Sequence, residues 1–198
     1  MLSCASHDEI FLSHSPERYP KPEADSSRTD YHLSMPTDIR IVVDDLAFVE
    51  ADAVLRPADA SLQALTPAMR RLDEQGGERF AGLRRVGMPL DAGAAVVTGG
   101  GELTAPYVLH LVLQDPQTPA SRDTVRRALV SAWQRAAEWG LARVAAPPVG
   151  VGPGQLSLEE SVHLLARTAP AGDGMALTIV VEKEHERETA EAALRSRP

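Results

Sequence analysis

The sequence predicts one α/β domain, because short β-branched and apolar runs alternate with segments of helical periodicity from residue 37 onwards. The bulk composition agrees with this fold class. The chain has 198 residues, of which 43% are hydrophobic and 24% are charged, an ordinary balance for a globular domain. Only 4% of the residues are aromatic, so we expect a core made mostly of Ala, Val and Leu.

Residues 1–36 differ in composition from the rest of the chain. They are rich in Ser, Pro, Asp, Glu and His, and they show no strand or helix periodicity. We predict a disordered or loosely attached tail here, with the domain itself spanning residues 37–198. An alternative is that Met35 is the true start, because Met-Pro-Thr-Asp leads straight into the first predicted strand.

The first predicted elements are two strands and a helix. Residues 39–43 form a β-branched run and residues 53–56 a second apolar run, both typical of strands. Thr66 followed by Pro67 is typical of a helix N-cap with proline at the first helical position. Gly76-Gly77 can end that helix.

Two strands and the clearest helix follow. Residues 94–98 predict a strand that ends at three consecutive glycines. Residues 107–113 form a near-continuous apolar run typical of a buried strand. Residues 121–139 carry one apolar face at helical spacing, with Gly140 as the predicted C-cap. The face is made of Val125, Ala128, Leu129, Ala132, Trp133 and Ala136.

The last third repeats the alternation. Residues 144–146 predict a short central strand, and Ser157-Leu-Glu-Glu160 is the pattern of a capping box that begins a helix. Residues 175–181 predict a buried strand and residues 184–195 a final helix.

Charge and cysteine content narrow the class of partner. The net charge is −8 and the isoelectric point is near 5.2, which disfavours nucleic acid and anionic lipid as partners. Cys4 is the single cysteine, so no disulfide forms within the chain, as is typical of a reducing cytoplasm. No apolar run approaches the roughly 18 residues that span a bilayer, and the N-terminus lacks a signal-peptide pattern, so we expect a cytoplasmic protein.

The candidate binding elements are the loops that follow strands, because ligands of α/β sheets usually bind beyond the C-terminal strand ends. The loop over residues 148–155 is rich in glycine and leads into the Ser157 helix. Its backbone N–H groups can approach a phosphate closely. The alternative is a flexible strand-to-helix connection, since the loop has neither P-loop nor dinucleotide spacing.

Other polar residues have plainer readings. Asp59 and the pair Asp44-Asp45 fit surface turns, and His110 within an apolar strand fits a hydrogen-bonded structural residue. No nucleophile–base–acid set and no metal-ligand spacing occurs. The sequence therefore predicts no catalytic residue, no metal and no cofactor.

Several segments together resemble the macrodomain family. Asp45-Leu46 followed by Ala53-Val54-Leu55 resembles the family's "D-I … A-I-V" opening, and Gly93-Ala-Ala-Val-Val-Thr98 resembles its "G-x-A-x-x-T" strand. Tyr107-Val-Leu-His110 looks like "Y-V-I-H", and Ala145-Ala-Pro-Pro-Val149 with its glycine loop resembles "A-F-P-A-I-S-T-G". The resemblance covers residues 38–195. It implies a three-layer α/β/α sandwich with a mixed central sheet, and ADP-ribose or a close derivative as ligand.

The resemblance also assigns residues, and it has departures. Asp45 matches the aspartate that contacts adenine, and residues 149–154 match the second phosphate loop. Where the family has "N-A-A-N", this chain has Arg56-Pro57-Ala58-Asp59, so the asparagine tied to distal-ribose recognition and hydrolysis is Asp59 here. Residues 63–67 replace the glycine run of the first phosphate loop, and Pro153-Gly154 replaces an expected aromatic residue.

We therefore expect binding of ADP-ribose or a related adenine nucleotide, free or attached to an ADP-ribosylated protein, in a cleft at the C-terminal strand ends. One alternative is a hydrolase acting on ADP-ribosyl groups or O-acetyl-ADP-ribose. Another is a scaffold of this fold that has lost ligand binding. The expected ligand-binding residues are Asp45, Arg56, Asp59, Val149, Gly150, Val151, Gly152, Pro153 and Gly154.

Overall fold

The central element is a six-stranded mixed sheet. A computed structural model describes residues 38–170 and 174–196, so the predicted tail over residues 1–36 lies outside the described residues. The sheet order is β1-β6-β5-β2-β4-β3, and every neighbouring pair is parallel except β3 with β4. The strands are β1 (Asp38–Val43), β2 (Ala53–Asp59), β3 (Ala95–Gly99), β4 (Tyr107–Gln114), β5 (Arg143–Ala146) and β6 (Ala176–Val181).

Helices cover both faces of this sheet. Val54 and Val108 face one side and pack with α1 and α2, whereas the adjacent Leu55 and Leu109 face the other side and pack with α3, α4 and α5. The expected three-layer α/β/α sandwich with a mixed sheet is therefore confirmed. The helices are α1 (Pro67–Gln75), α2 (Gly77–Leu83), α3 (Arg122–Trp139), α4 (Leu158–Thr168) and α5 (Glu184–Arg195).

Local sequence signals explain most helix boundaries. The Thr66 hydroxyl accepts a hydrogen bond from the Met69 N–H at the start of α1, as its N-cap position predicts. The Ser157–Glu160 capping box begins α4, and Gly140 ends α3 with φ of 65°. Trp133 is buried in the core beneath α3, as its place on the apolar face predicts.

Most strand ends agree with the sequence prediction to within one residue, but two features differ by more than that. Gly76 ends α1 but keeps a right-handed helical conformation, and Gly77, with φ of +70°, then begins a second helix, α2. A Cβ at Gly76 would lie 2.5 Å from the Phe80 ring, so this glycine is needed for close packing of α2. β2 also runs three residues beyond the predicted end at Arg56, through Asp59.

Within the described ranges, no helix has both the length and the apolar character needed to cross a membrane.

Candidate ligand-binding cleft

A cleft of about 540 Å³ lies at the C-terminal ends of the parallel strands. Its floor includes Pro57, Leu113 and Val181 at the ends of β2, β4 and β6. The first two turns of α1 form one wall, and the loops after β1 and β5 form the rest. The cleft is therefore where the sheet topology predicts a ligand site.

Asp45 lies at one end of this cleft and is exposed, as the sequence predicted for a residue following β1. Its Oδ1 accepts a hydrogen bond from the Ala47 N–H at 3.0 Å, and its own N–H donates to Oδ1 of Asp44 at 2.7 Å. The buried Leu46 and Ala47 anchor this turn in the core. The carboxylate is thus held at the cleft mouth by a fixed turn.

The glycine loop after β5 forms the opposite end. Gly150, Val151 and Pro153 line the cleft, whereas Val149, Gly152 and Gly154 belong to the loop without lining the cleft. The loop is tightly coiled: Gly150 and Gly152 both have φ of 85°, and a Cβ at Gly154 would lie 2.8 Å from the Gly150 carbonyl oxygen. Its coil therefore requires glycine at these positions.

Buried contacts fix this loop to the helix that follows it. Val149 is fully buried, and its carbonyl oxygen accepts a hydrogen bond from the Ser161 hydroxyl of α4 at 2.8 Å. Among the described residues, the N–H groups of Val151 and Gly154 donate no backbone hydrogen bond. The loop thus combines a fixed base with uncommitted backbone donors, which is the geometry that anion-binding loops use.

Asp59 does not line the cleft. It ends β2 after a register shift, and its Oδ1 accepts hydrogen bonds from the N–H groups of Ser61 and Gln63 at 2.8 and 2.9 Å. This carboxylate therefore organises the turn after β2, which is the plainer of its two sequence readings.

Arg56 points neither into the cleft nor to solvent. It is fully buried within β2, and its Nε and Nη2 donate to the two carboxylate oxygens of Asp73 in α1 at 2.6 and 2.7 Å. Its Nη1 donates to the Leu62 carbonyl at 3.1 Å and lies 3.3 Å from Nδ1 of His110. The side chain thus joins β2, α1 and β4 in the interior. A charged residue inside a buried strand predicts that an oppositely charged side chain pairs with it, but the sequence does not indicate which carboxylate that is.

His110 and Arg84 complete this buried group. Burial, and then the positive charges of Arg56 and Arg84, hold the pKa of His110 well below its ordinary value. Nε2 of His110 lies 2.8 Å from the Thr98 hydroxyl, so both ring nitrogens are hydrogen-bonded and the structural reading of this histidine is confirmed. The Phe80 ring stacks on the imidazole at 5.8 Å between centroids.

Arg84 shares the Asp73 carboxylate with Arg56. Its Nη1 lies 3.1 Å from Oδ2 of Asp73, and its guanidinium carbon lies 4.9 Å from the centre of the Phe80 ring. Desolvation, only partly offset by Asp73, lowers the pKa of Arg84. Within the described part of the chain, its Nε is buried without a hydrogen-bond partner. These contacts place Arg84 in a structural cluster under α1 and α2.

The ionised side chains that line the cleft are mostly acidic. Asp44 and Asp45 follow β1, Glu182 follows β6 and Glu186 lies in the first turn of α5. Arg71 reaches Glu182 from α1. Sequence reasoning missed Arg71, Glu182 and Glu186, because only the fold brings α1 and the end of β6 together. Nowhere in the described ranges do three His, Cys, Asp or Glu side chains group so that they could hold a metal ion.

The fold and the cleft define an α/β/α sandwich protein with a ligand-binding cleft at the C-terminal strand ends. The comparison with known families gives the family itself. A sequence model of the Macro domain matches residues 64–165, and the chain belongs to this family.

Relatives and solved structures agree with that assignment. An uncharacterized protein of Aeropyrum pernix is 30% identical over 66% of this chain and 70% of that protein. An uncharacterized protein of Aquifex aeolicus is 27% identical over 78% of this chain and 94% of that protein.

Among solved structures, the Oceanobacillus iheyensis macrodomain with ADP superposes with a TM-score of 0.67 at 16% identity, over 84% of this chain and 97% of that one. The Trypanosoma brucei macrodomain in complex with ADP superposes with a TM-score of 0.65 at 18% identity, over 79% of this chain and 69% of that one. At these identities the superpositions show the shared fold.

Proposed function

We propose that this chain binds ADP-ribose or a related adenine nucleotide in the cleft. The observation that carries the proposal is that Asp45 lines one continuous cleft together with Gly150, Val151 and Pro153 of the glycine loop. The cleft volume, about 540 Å³, falls within the range of roughly 300–1,000 Å³ that small-molecule sites occupy. Two macrodomains of the same fold, from Oceanobacillus iheyensis and Trypanosoma brucei, were solved with ADP.

Each end of the cleft has a role in this proposal. One carboxylate oxygen of Asp45 accepts the Ala47 N–H, which leaves the other to accept a hydrogen bond from the exocyclic amine of adenine. At the glycine loop, the N–H group of Val151, which lines the cleft, donates to a phosphate. A nucleotide whose base and phosphate span the cleft satisfies both ends.

Binding is favoured over hydrolysis. The position where the family resemblance expects the asparagine for hydrolysis holds Asp59, whose carboxylate caps its own turn and does not line the cleft. The other altered position holds Arg56, which is committed to Asp73 in the core. Neither side chain supports chemistry on a bound ligand.

The ligand in the cell can be free or attached to a protein. Asp45 lies at an exposed mouth, so an ADP-ribosyl group carried by a modified protein fits the proposal as well as free ADP-ribose. We propose a cytoplasmic location on the presence of a single cysteine in the chain.

Titration calorimetry of the full chain with ADP-ribose, ADP, AMP and NAD tests the proposal, and IDP serves as the matched control for the base. We expect ADP and ADP-ribose to bind, and IDP to bind several-fold more weakly than ADP, because hypoxanthine presents a carbonyl where adenine presents a donor. No binding of any adenine nucleotide at millimolar concentration would leave the scaffold function. Release of ADP-ribose from a modified protein would favour the hydrolase function instead.

A further inference from the structure

The strand order dictates the path of any ligand that spans the cleft. β6 lies between β1 and β5, and the registers pair Val43 with Val181 and Ala146 with Ile179. The segments after these three strands therefore lie side by side at the cleft. A ligand that reaches from Asp45 to the glycine loop must pass the end of β6.

An ion pair crosses the cleft at that point. Arg71, on α1, donates through Nη2 to Oε1 of Glu182, the residue directly after β6, and both side chains line the cleft. Glu182 is itself held in place, because its backbone N–H and that of Lys183 donate to Oε2 of Glu186 at 3.0 and 3.1 Å. The pair thus joins the helical wall of the cleft to its floor.

This arginine carries the cleft's positive charge. Among the described residues that line the cleft, Arg71 is the one basic side chain, whereas Asp44, Asp45, Glu182 and Glu186 are acidic. A phosphate entering the cleft meets four carboxylates and one guanidinium that is already paired. Without a change of partner, the electrostatic field beside the end of β6 disfavours the anion.

We propose that Arg71 is the phosphate-selecting residue of the cleft, and that a bound nucleotide's phosphate replaces the Glu182 carboxylate on its guanidinium. The exchange is favourable because the pair is weak: both side chains are 53% exposed, and pairs exposed to this extent contribute little. A guanidinium–phosphate contact is bidentate and stronger. Glu182 thereby lowers affinity for phosphorylated ligands while leaving a nucleoside unaffected. This inference rests on the proposed function.

The test compares adenosine, AMP and ADP by titration calorimetry of the full chain and three variants. Arg71→Gln should weaken ADP binding about tenfold through loss of a charge-assisted contact, while adenosine binding changes less than about twofold. Glu182→Gln should strengthen ADP binding about three- to fivefold, since the competing carboxylate is removed. Glu138→Gln breaks a comparably exposed pair with Arg135 on α3, away from the cleft, and should change neither affinity.

The outcomes separate this inference from the proposed function. If ADP binds the wild type but Arg71→Gln weakens adenosine and ADP equally, or Glu182→Gln does not strengthen ADP, the inference is wrong and the proposed function stands. If neither the wild type nor any variant binds an adenine compound, both are wrong. Thermal melting of each variant within a few degrees of wild type shows that the changes report on binding rather than on folding.

Discussion

Arg56 and Asp73 form a bidentate ion pair in which the arginine has no exposed surface and the aspartate side chain is 15% exposed. The pair connects the middle of β2 to α1, and α1 is a wall of the cleft. The same ion pair therefore stabilises the folded domain and holds α1 in its position beside the candidate ligand site.

Asp73→Ala should lower the free energy of unfolding by about 3–5 kcal/mol, because it leaves two guanidiniums, one of them fully buried, without a carboxylate. Chemical denaturation measures the change. Glu138→Ala, which breaks an exposed pair on α3, should cost less than about 1 kcal/mol. Equal costs for the two variants would contradict the structural role assigned to Arg56.

The stability of the domain should depend on pH through His110. Its pKa is lowered in the folded protein. Below the ordinary pKa of 6.5, this histidine therefore binds a proton in the unfolded chain but stays neutral in the folded chain. The contribution of His110 to the free energy of unfolding is therefore fully present above pH 6.5. It falls by about 1.4 kcal/mol per pH unit as the pH drops towards the lowered folded pKa.

His110→Gln should flatten the dependence between pH 6.5 and the lowered folded pKa of the histidine. Urea denaturation of wild type and variant at several pH values gives the two slopes. The readout is the slope, so a uniform loss of stability in the variant does not affect it. Identical slopes would mean that this imidazole titrates in the folded state as it does in the unfolded state.

Asp45→Ala should weaken adenine nucleotide binding by about 1.5–3 kcal/mol, the usual worth of a hydrogen bond to a charged group. The variant should also reduce the preference for ADP over IDP, because the group that reads the exocyclic amine is gone. Asp123→Ala, an exposed carboxylate of α3, is the control and should leave binding unchanged. An unaltered ADP-to-IDP ratio in Asp45→Ala would place the base elsewhere.

Gly152→Val should weaken phosphate-dependent binding. The position has φ of +85°, and a Cβ there would meet nothing within 4 Å, so the side chain fits but forces the loop backbone to change. Gly174→Val is a matched control, with φ of +65° and equal space outside the cleft. Both should lose similar stability, and only Gly152→Val should lose ADP affinity in calorimetry. Similar affinities for the two variants would count against the glycine loop as the phosphate site.

Much of the fold follows from local signals in the sequence. Thr66-Pro67, Ser157 with Glu160, and Gly140 each mark a helix boundary through a contact within a few residues, and the structure has all three. The extension of β2 through Pro57 was missed, because proline lacks the N–H of a ladder. The structure tolerates this proline because β5 pairs with β2 only at Ala53 and Val54 and ends before it reaches the position beside Pro57.

The site was less predictable than the fold. Asp45 and the glycine loop follow strands directly, so strand order alone brings them to one edge of the sheet. Arg71 and Glu182 are 111 residues apart and meet only through tertiary packing. The burial of Arg56 in the core likewise depends on a residue outside its own strand, because nothing in the sequence around β2 identifies Asp73 as its partner.

The pairing of β1 with β6 also sets an order of events during synthesis. Val43 and Val181 are neighbours in the sheet, yet the ribosome makes them 138 residues apart. At about 5–20 residues per second, β1 waits roughly seven to thirty seconds for the strand that completes it. Asp45 and Glu182 come together only then, so the end of the cleft that would read the base is among the last parts of the domain to form. A nascent chain can therefore bury most of its core before it can hold a ligand.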